Sequence, residues 1–578
     1  MIDIIKKEIK EFLLSVDNDK KNIQAILEKS TTSITDDLNK GHLTSNVCMV
    51  AASTLKSKPN ELANNLKEKL IKLGFFEDVQ SAGPGFINIF LKRNDFVSTI
   101  NVINKMRDSF GKSKVGDGKK VQIEFVSANP TGPLHVGHGR GAAFGDAIGR
   151  ILEATGSLVE KEYYINDAGR QIDILTASVL LRMIKKDINN YFPQNAYKGK
   201  YIEDIANKLK KDINLNCDYE SLAKDMPKDP EEEIDQIIEN IKDQDESSWN
   251  QAKEFSLAEM VKSIKNDLKT FNVNFDHWFN ESSLGDVSDS SSEISNSINK
   301  LKSDGNAYEK DGAIWLNTDI SGDDKHRVLI REDGRATYFA SDVAYHKNKV
   351  DRGFDKLINI WGADHHGYIK RIEASIETLG SSKEKLIVKL VQFANLFKEG
   401  KKVKMSTRSG EFFTLKDLID DIGTDAARFY YLSKQADQHL DFDIDLAKKD
   451  SKDNVFYYIQ YAYARIVSLE KKVLENNFND DINLNSIESN TYDRCDLLIH
   501  EISKYPDIIY KASNSLQPHI IIYYLRDLAQ LLHSYYNDNH VLSESKENIQ
   551  SIILCLSSVK QVLSNGLNIL GISPINKM

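Results

Sequence analysis

The chain of 578 residues is 40% hydrophobic and too long for a single hydrophobic core, so we expect several domains. No apolar run reaches transmembrane length and the charged N-terminus has no small-residue cleavage site behind it, so we expect a soluble, cytoplasmic protein that binds no membrane. The four cysteines lack C-x-x-C spacing, which gives no support to a structural zinc site or a disulfide framework. The formal net charge of -10 is unfavourable for binding a polyanion, but 76 Lys and Arg residues can still line one face.

The N-terminal part, residues 1–115, predicts a small α/β domain. Helical patterns come first, and Gly83-Pro84-Gly85 then leads into an alternating segment that is typical of a strand after a tight turn. On this strand Phe86 and Phe90 are either core residues or stacking surfaces, whereas Asn88 has little reason to lie in a core.

Residues 121–155 predict a strand, a turn and a helix. Such a unit points the unpaired N–H groups of the first helical turn at the carboxyl edge of the strand, where phosphate commonly binds. His135 and His138 flank this turn and offer donors for triphosphate oxygens, while Gly137 leaves room for an adenine ring. A metal pair or two hydrogen-bonded turn histidines are minority alternatives, because no carboxylate or cysteine lies at ligand spacing.

Charged helical patterns at about 190–300 predict an insertion, after which strand-like segments resume the fold. In the next helical pattern Tyr338 and Asp342 are four residues apart and therefore share one face. A predicted strand then ends in a loop with Asp364, His365 and His366, at the kind of edge where ligands of open parallel sheets bind. On composition these three could bind a metal, although adjacent histidines rarely both reach one tetrahedral ion.

Beyond the loop VKMSTR at 403–408 the chain is helical by pattern to its end. HVGH and VKMSTR, in this order, resemble the two signature motifs of class I aminoacyl-tRNA synthetases. EFVSANPTGPLHVGHGRGA, YINDAGRQI, TYFASDVAYH, WGADHHGY and DFDIDLAKKDS resemble arginyl-tRNA synthetases, and the resemblance runs from the N-terminal region to the C-terminus.

The resemblance implies an α/β plus all-α protein. Its expected parts are a small N-terminal α/β domain at 1–115 that contacts the outer corner of the tRNA, a Rossmann-type parallel-sheet catalytic domain at 116–395 with the insertion at about 190–300, a signature-loop and connecting helical region at 396–453, and a C-terminal helical bundle at 454–578 that binds the anticodon.

The resemblance also implies roles for individual residues. The expected catalytic residues are His135, His138 and Lys404. The expected ATP contacts are His135, Gly137, His138, Asp364, Lys404, Met405 and Ser406. The expected arginine contacts are Glu124, Ser127, Asn129, Tyr338, Asp342 and His365. The expected tRNA contacts are Asn88, Tyr461 and Arg465.

Selective recognition of a guanidinium needs a carboxylate in matching geometry. Asp342 is the expected partner, with the Tyr338 hydroxyl beside it and Glu124 as a second carboxylate, while Asn129 faces the α-amino end. The alternative for Asp342 is a surface ion pair with a nearby lysine such as Lys347.

The implied activity is ATP-dependent activation of L-arginine and its transfer to the 3′-terminal adenosine of tRNA(Arg) by a monomeric protein. Magnesium is expected to arrive with ATP, and no structural metal is expected. Thr407 stands where the family-wide motif has its second lysine, which leaves Lys404, Ser406 and Arg408 to contact pyrophosphate. A nucleotidyltransferase that makes a small-molecule adenylate or cytidylate is the runner-up, and a non-catalytic tRNA-binding module is the other alternative.

Overall fold

The computed structural model describes residues 2–184, 192–213, 215, 222, 226–319, 325–403, 413–475 and 489–578. Residues 2–91 form a small α/β domain with a hydrophobic core of its own. Its antiparallel sheet has the strand order Thr32–Ile34, Leu43–Ser45, Phe86–Leu91 and Phe76–Ala82. Its helices are Ile2–Val16, Lys20–Lys29, Val47–Thr54 and Pro59–Lys72, and the helix Arg93–Met106 follows the domain.

The centre of the molecule is a five-stranded parallel sheet with the predicted Rossmann-type topology. The strand order is Leu386–Val391, Lys356–Gly362, Lys120–Glu124, Leu158–Ile165 and His277–Asn280. The chain enters at the middle strand, adds two strands on one side and then crosses to the other. The order therefore reverses between the strands that contain Glu124 and Asn359, which are register partners. Ligands of such sheets bind at the carboxyl edge of this switch point.

Two additions flank the parallel sheet. The first is helical and has a core of its own, and its helices are Arg170–Ile184, Lys200–Leu209, Pro230–Gln244 and Glu246–Thr270. The second consists of the helix Glu293–Ser303 and an antiparallel sheet of Ala307–Lys310, Ala313–Leu316 and Arg327–Ile330. The helices Tyr338–Asp351 and Ile369–Thr378 then precede the last two strands of the parallel sheet.

The C-terminal part is helical, as the sequence predicts. It starts after a small sheet of Lys401–Lys402, Ala394–Lys398 and Leu440–Asp443, whose neighbouring helices are Leu415–Ile422, Thr424–Leu432 and Ile444–Ala447. The bundle helices are Val455–Glu475, Asp496–Ser503, Tyr505–Ser515, His519–Asp538 and Lys546–Ile569. By length and composition alone the last of these could cross a membrane, but most of its residues are buried in the bundle.

The bundle and the catalytic part share one hydrophobic core and one buried charge network. Arg428 is fully buried and pairs with Asp146 of the helix Val136–Ala154 at 2.6 Å. The same guanidinium donates to the carbonyl oxygen of Leu570, near the C-terminus, at 2.9 Å. Removing the bundle would therefore expose the core and leave buried polar groups without partners.

Candidate active site

A cavity of about 450 Å³ opens at the carboxyl edge of the parallel sheet, where the strand order reverses. All six residues predicted to contact arginine line it: Glu124, Ser127, Asn129, Tyr338, Asp342 and His365. The other lining residues are Val126, Tyr164, Asn166, Tyr345, His346, Ile360, Trp361, Gly362 and Tyr368. Its volume and its mixture of aromatic walls and convergent polar groups suit a small ligand.

Asp342 presents its carboxylate to this cavity. Among the residues that the structure describes it has no ion-pair partner, and Tyr368 donates a hydrogen bond to its Oδ2. Burial raises the pKa of Asp342 to about 7, although the Tyr368 hydrogen bond acts in the opposite direction. The alternative of a surface pair with Lys347 is wrong, because Lys347 pairs with Asp351 at 2.5 Å. A carboxylate in this state favours a cationic ligand.

Glu124, the second carboxylate of the cavity, already has a cationic partner. Its Oε2 lies 2.5 Å from Nζ of Lys349, and its Oε1 accepts a hydrogen bond of 3.0 Å from Ser127. Burial is the largest single effect and disfavours the ionised form, but the charge and hydrogen bond of Lys349, together with His346 and the Ser127 hydrogen bond, outweigh it and the pKa of Glu124 is lowered. Glu124 is therefore an ionised acceptor whose charge is offset within the protein.

The cavity wall contains two strained residues directly after the central strand. Val126 and Ser127 have φ angles of 67° and 41°, which is unfavourable above all for a β-branched residue. This conformation turns the chain so that the Ser127 hydroxyl reaches back to Glu124 and accepts a hydrogen bond of 3.1 Å from the Tyr164 N–H. The strain lies where it shapes the cavity.

Three of the predicted arginine contacts lie at the rim. Tyr338 is 74% exposed, and the phenol that contacts Asp342 directly is Tyr368 rather than Tyr338. Asn129 is exposed and donates to Gln171 at 2.8 Å. The exposed His365 has its Nε2 3.6 Å from Oδ2 of Asp364. These side chains are open to an incoming ligand.

The paired histidines form the cap of the helix Val136–Ala154. Nδ1 of His135 accepts from the Gly137 N–H at 3.0 Å, and Nδ1 of His138 accepts from the His135 N–H at 3.2 Å. The rings stack with their centroids 3.7 Å apart. Burial lowers the pKa of His138 to about 3 and lowers that of His135 as well. Because Nδ1 accepts in both neutral rings, the hydrogen is on Nε2 and each ring is a donor through that atom.

The prediction of free backbone N–H groups at the start of this helix is wrong. The Val136 N–H donates to the carbonyl of Phe413 at 3.3 Å, and the His138 N–H donates to the carbonyl of His135 at 2.9 Å. The Gly137 N–H is taken by the His135 ring. The Nε2–H groups of the two imidazoles are therefore the donors that this turn offers to a phosphate.

Gly137 is required by the histidine stack itself. A Cβ at this position would lie 2.7 Å from Cε1 of His135, which is closer than real Cβ contacts. The histidine stack thus requires this glycine in the protein alone, and the room that it leaves for an adenine ring stays a prediction. The ring of Phe393, 47% exposed, lies 3.7 Å from the same Cβ position and provides an aromatic surface that the sequence analysis did not single out.

The second signature segment falls on residues that are not described. Lys404, Met405 and Ser406 lie outside the described ranges, as do Thr407 and Arg408. Its flanks are described: the Val403 N–H donates to the carbonyl of Leu396, and the Leu415 N–H donates to the carbonyl of Leu134, both at 2.8 Å. Thr414 also forms an antiparallel β-bridge with His135, so the second flank lies directly beside the first signature motif.

Of the residues predicted to contact tRNA, Asn88 lies far along the chain from Tyr461 and Arg465, and all three are at least partly accessible. Asn88 is half-buried on the strand Phe86–Leu91, whose residues Ile87 and Ile89 point into the core instead. Tyr461 is 41% exposed. Tyr461 and Arg465 lie on the helix Val455–Glu475, and the guanidinium carbon of Arg465 lies 3.8 Å from the centre of the ring of Tyr536 on the helix His519–Asp538. The two helices together therefore present an aromatic and cationic surface.

Known proteins of one kind match this protein along nearly its whole length. Arginine--tRNA ligase from Vesicomyosocius okutanii is 43% identical over 576 residues, which is 98% of each chain. Arginine--tRNA ligase from Legionella pneumophila is 44% identical over 553 residues, which is 93% of each chain. The fold is similar to that of Thermus thermophilus arginyl-tRNA synthetase, with a TM-score of 0.72 at 19% identity over 97% of this chain and 99% of that one.

Family models match in three segments. Residues 2–91 match the arginyl tRNA synthetase N terminal domain, residues 100–478 the catalytic domain of class I tRNA synthetases (R), and residues 459–578 the DALR anticodon binding domain. The parallel sheet, the paired histidines at its edge and these matches define a class I aminoacyl-tRNA synthetase. Within that class, the chain belongs to the arginyl-tRNA synthetase family.

Proposed function

We propose that the protein attaches L-arginine to tRNA(Arg) in two steps, with arginyl-adenylate as the intermediate. The observation that carries the proposal is Asp342, a carboxylate that lines a cavity of amino-acid size without a cationic partner among the described residues. A guanidinium is permanently charged and presents forked donors that fit such a carboxylate. The relatives named arginine--tRNA ligase support the same substrate.

The remaining cavity residues give arginine its orientation. Glu124 offers further lone pairs to the guanidinium, and Ser127 and Tyr338 bound the same space from the wall and the rim. Asn129 faces the α-amino end, and His365 contacts the substrate from the opposite loop.

In the first step the arginine carboxylate attacks the α-phosphorus of ATP and pyrophosphate leaves. His135 and His138 donate to phosphate oxygens through Nε2, which stabilises developing charge without adding a cation. Gly137, Asp364, Met405 and Ser406 contribute the other ATP contacts, and Lys404 meets the charge on the pyrophosphate.

Magnesium enters as the ATP complex, because phosphate oxygens and water supply most of its ligands. Within the described residues no cluster of three or more His, Cys, Asp and Glu side chains is arranged to hold a metal ion. We assign none of the chain's residues to the metal, and the residues named above act on the nucleotide.

In the second step a hydroxyl of the 3′-terminal adenosine attacks the adenylate carbonyl and AMP leaves. Asn88 in the N-terminal domain (1–115) and Tyr461 and Arg465 in the bundle (454–578) hold the outer corner and the anticodon of the tRNA. Both steps take place in the catalytic domain (116–395), and the region 396–453 carries the signature loop. We expect a monomer in the cytoplasm.

A charging assay with total tRNA and each labelled amino acid tests this proposal. The expected result is ATP-dependent, acid-precipitable arginine and no charging with the other amino acids. A nucleotidyltransferase would consume nucleotide without labelling tRNA, and a binding module would retain tRNA without consuming ATP. Either of these results would overturn the assignment.

A further inference from the structure

Lys349 is a fully buried cation next to the arginine cavity. Its Nζ lies 2.5 Å from Oε2 of Glu124 and 2.9 Å from Oδ1 of Asn359, and it lies 4.3 Å from the centre of the Tyr345 ring. No part of Lys349 is accessible, and these contacts use the directions in which an ammonium donates. Lys349 therefore cannot touch a substrate and can act only through its neighbours.

These neighbours connect the two carboxylates of the cavity. Asn359 is the register partner of Glu124 on the adjacent strand, and its Nδ2 lies 2.9 Å from Nε2 of His346. Nδ1 of His346 lies 2.8 Å from the carbonyl oxygen of Asp342. Since that oxygen can only accept, Nδ1 carries the hydrogen and Nε2 accepts from Asn359. A chain of hydrogen bonds thus connects Glu124 with the backbone of Asp342: Lys349 donates to Glu124 on one side and, on the other side, to Asn359, which leads through His346 to Asp342.

The charges of the groups joined by these hydrogen bonds fit a substrate side chain with one positive charge. Glu124 and Asp342 both line the cavity, and two like charges in one site disfavour each other's ionisation. Lys349 offsets one of them, which leaves one carboxylate charge for the guanidinium. The other titratable or charged groups that face these residues include Tyr164, His346, Tyr345, Tyr368, Glu281, Glu162 and Arg352.

We propose that Lys349 is a positioning residue for arginine recognition, which holds Glu124 ionised at the cavity wall and keeps Asp342 available to the guanidinium. This role rests on the proposed function, because it presumes that arginine occupies the cavity. A merely structural ion pair would contribute to folding alone, whereas a charge-setting role makes arginine recognition depend on pH once the lysine is lost.

The test is the variant Lys349→Met. The arginine KM of the variant and of the wild type is measured at several pH values, and the ratio of the two is compared at each pH. Without Lys349 the two carboxylates share one site, so one of them ionises only at higher pH. If the pKa of this second ionisation rises by about one unit from about 7, the fraction of protein with both carboxylates ionised at pH 7 falls from roughly one half to one eleventh, so the ratio should be roughly fivefold or more. At pH 9 the carboxylates ionise again and the ratio should fall towards one. The ATP KM should not change.

Lys347→Met is the matched control, because Lys347 lies on the same helix and pairs with Asp351 rather than with a cavity residue. Its ratio should stay near one throughout. A Lys349→Met ratio that is independent of pH would overturn the proposal. If wild-type protein charges no arginine, the proposed function fails instead, so the two failures are distinguishable.

Lys349→Met leaves Glu124 buried without its partner and can fail to fold. The double variant Glu124→Gln with Lys349→Met removes one negative and one positive charge, so the net charge of the site does not change. Its arginine KM should be raised by the loss of one acceptor, but by the same factor at pH 7 and pH 9. If the ratio of the arginine KM of the double variant to that of the wild type still falls as pH rises, the charge-setting role of Lys349 is excluded.

Discussion

Tyr368 donates a hydrogen bond to Oδ2 of Asp342, and so joins the loop after the strand Lys356–Gly362 to the helix Tyr338–Asp351 at the cavity. The bond favours the ionised form of a carboxylate that burial would otherwise protonate. Tyr368 thereby prepares Asp342 for a cation before any ligand is present.

Tyr368→Phe should therefore weaken arginine recognition while leaving ATP recognition intact. Loss of one hydrogen bond of about 0.5–1.5 kcal/mol corresponds to a rise of roughly two- to tenfold in the arginine KM at pH 7. Tyr308→Phe is a suitable control, since Tyr308 bonds to His326 outside the cavity. Steady-state charging with arginine as the varied substrate measures both, and equal KM values for the two variants would contradict this role of Tyr368.

Arginine binding should be linked to proton release. With the pKa of Asp342 raised to about 7, much of the protein is protonated there at pH 6, and a bound guanidinium favours the ionised form. We expect release of up to about one proton per arginine at pH 6 and almost none at pH 8.5, with affinity increasing over that range. Calorimetric titration in buffers of different ionisation enthalpy measures this release.

The raised pKa of Asp342 also determines how the stability of the folded protein changes with pH. The folded pKa lies above the value of about 3.9 for an unfolded Asp, so this group makes folding less favourable as pH rises from about 4 through 7. Arginine should therefore raise the melting temperature more at pH 8 than at pH 5. An arginine effect that is larger at pH 5 would contradict the linkage.

His138→Asn should separate the donor role of the imidazole from its capping role. An asparagine Oδ1 can still accept the His135 N–H, whereas the Nε2 donor is lost. By analogy with the loss of one preorganised donor, we expect turnover in tRNA-dependent ATP–pyrophosphate exchange to fall by about 10²–10³-fold. The melting temperature serves as the control for the cap, and turnover within about threefold of wild type would remove His138 from the chemistry.

Contacts with tRNA must be tested by point variants, since the bundle shares its core with the catalytic part. Tyr461→Ala with Arg465→Ala should raise the KM for tRNA by roughly fivefold or more if a base stacks there, because stacking contributes about 1–3 kcal/mol per base. Lys471→Ala, an exposed lysine on the same helix, controls for the loss of one positive charge. Arginine affinity should be unchanged in both proteins, and an unchanged tRNA KM in the double variant would exclude this surface.

Much of the site follows from local pattern. The strand, turn and helix around His135, and the position of Asp342 on one helix face, depend on neighbours in sequence and are therefore predictable. The same helical spacing could have indicated His346 and Lys349, which lie four and seven residues after Asp342 on that face.

Other features depend on contacts between distant segments and could not be predicted from one sequence. The pairs Lys349–Glu124 and Arg428–Asp146 join residues more than two hundred positions apart. The Val136 N–H beside His135 is occupied by the carbonyl of Phe413, which reaches the helix only through the tertiary fold. For this reason the sequence pattern, in which the helical bundle looks like a separate domain, does not reveal that the bundle and the catalytic part share one hydrophobic core.

The most direct measurement is the binding of arginine and of citrulline, its neutral isostere, to the wild type, Asp342→Asn and the control Asp351→Asn. In the wild type and the control, arginine should bind far more tightly than citrulline. Asp342→Asn removes the charge partner, at a cost of about 2–5 kcal/mol, so arginine affinity should fall by tens- to thousands-fold and the preference over citrulline should largely disappear. Arginine affinity of Asp342→Asn within about twofold of wild type, with the preference intact, would show that Asp342 is not the guanidinium partner.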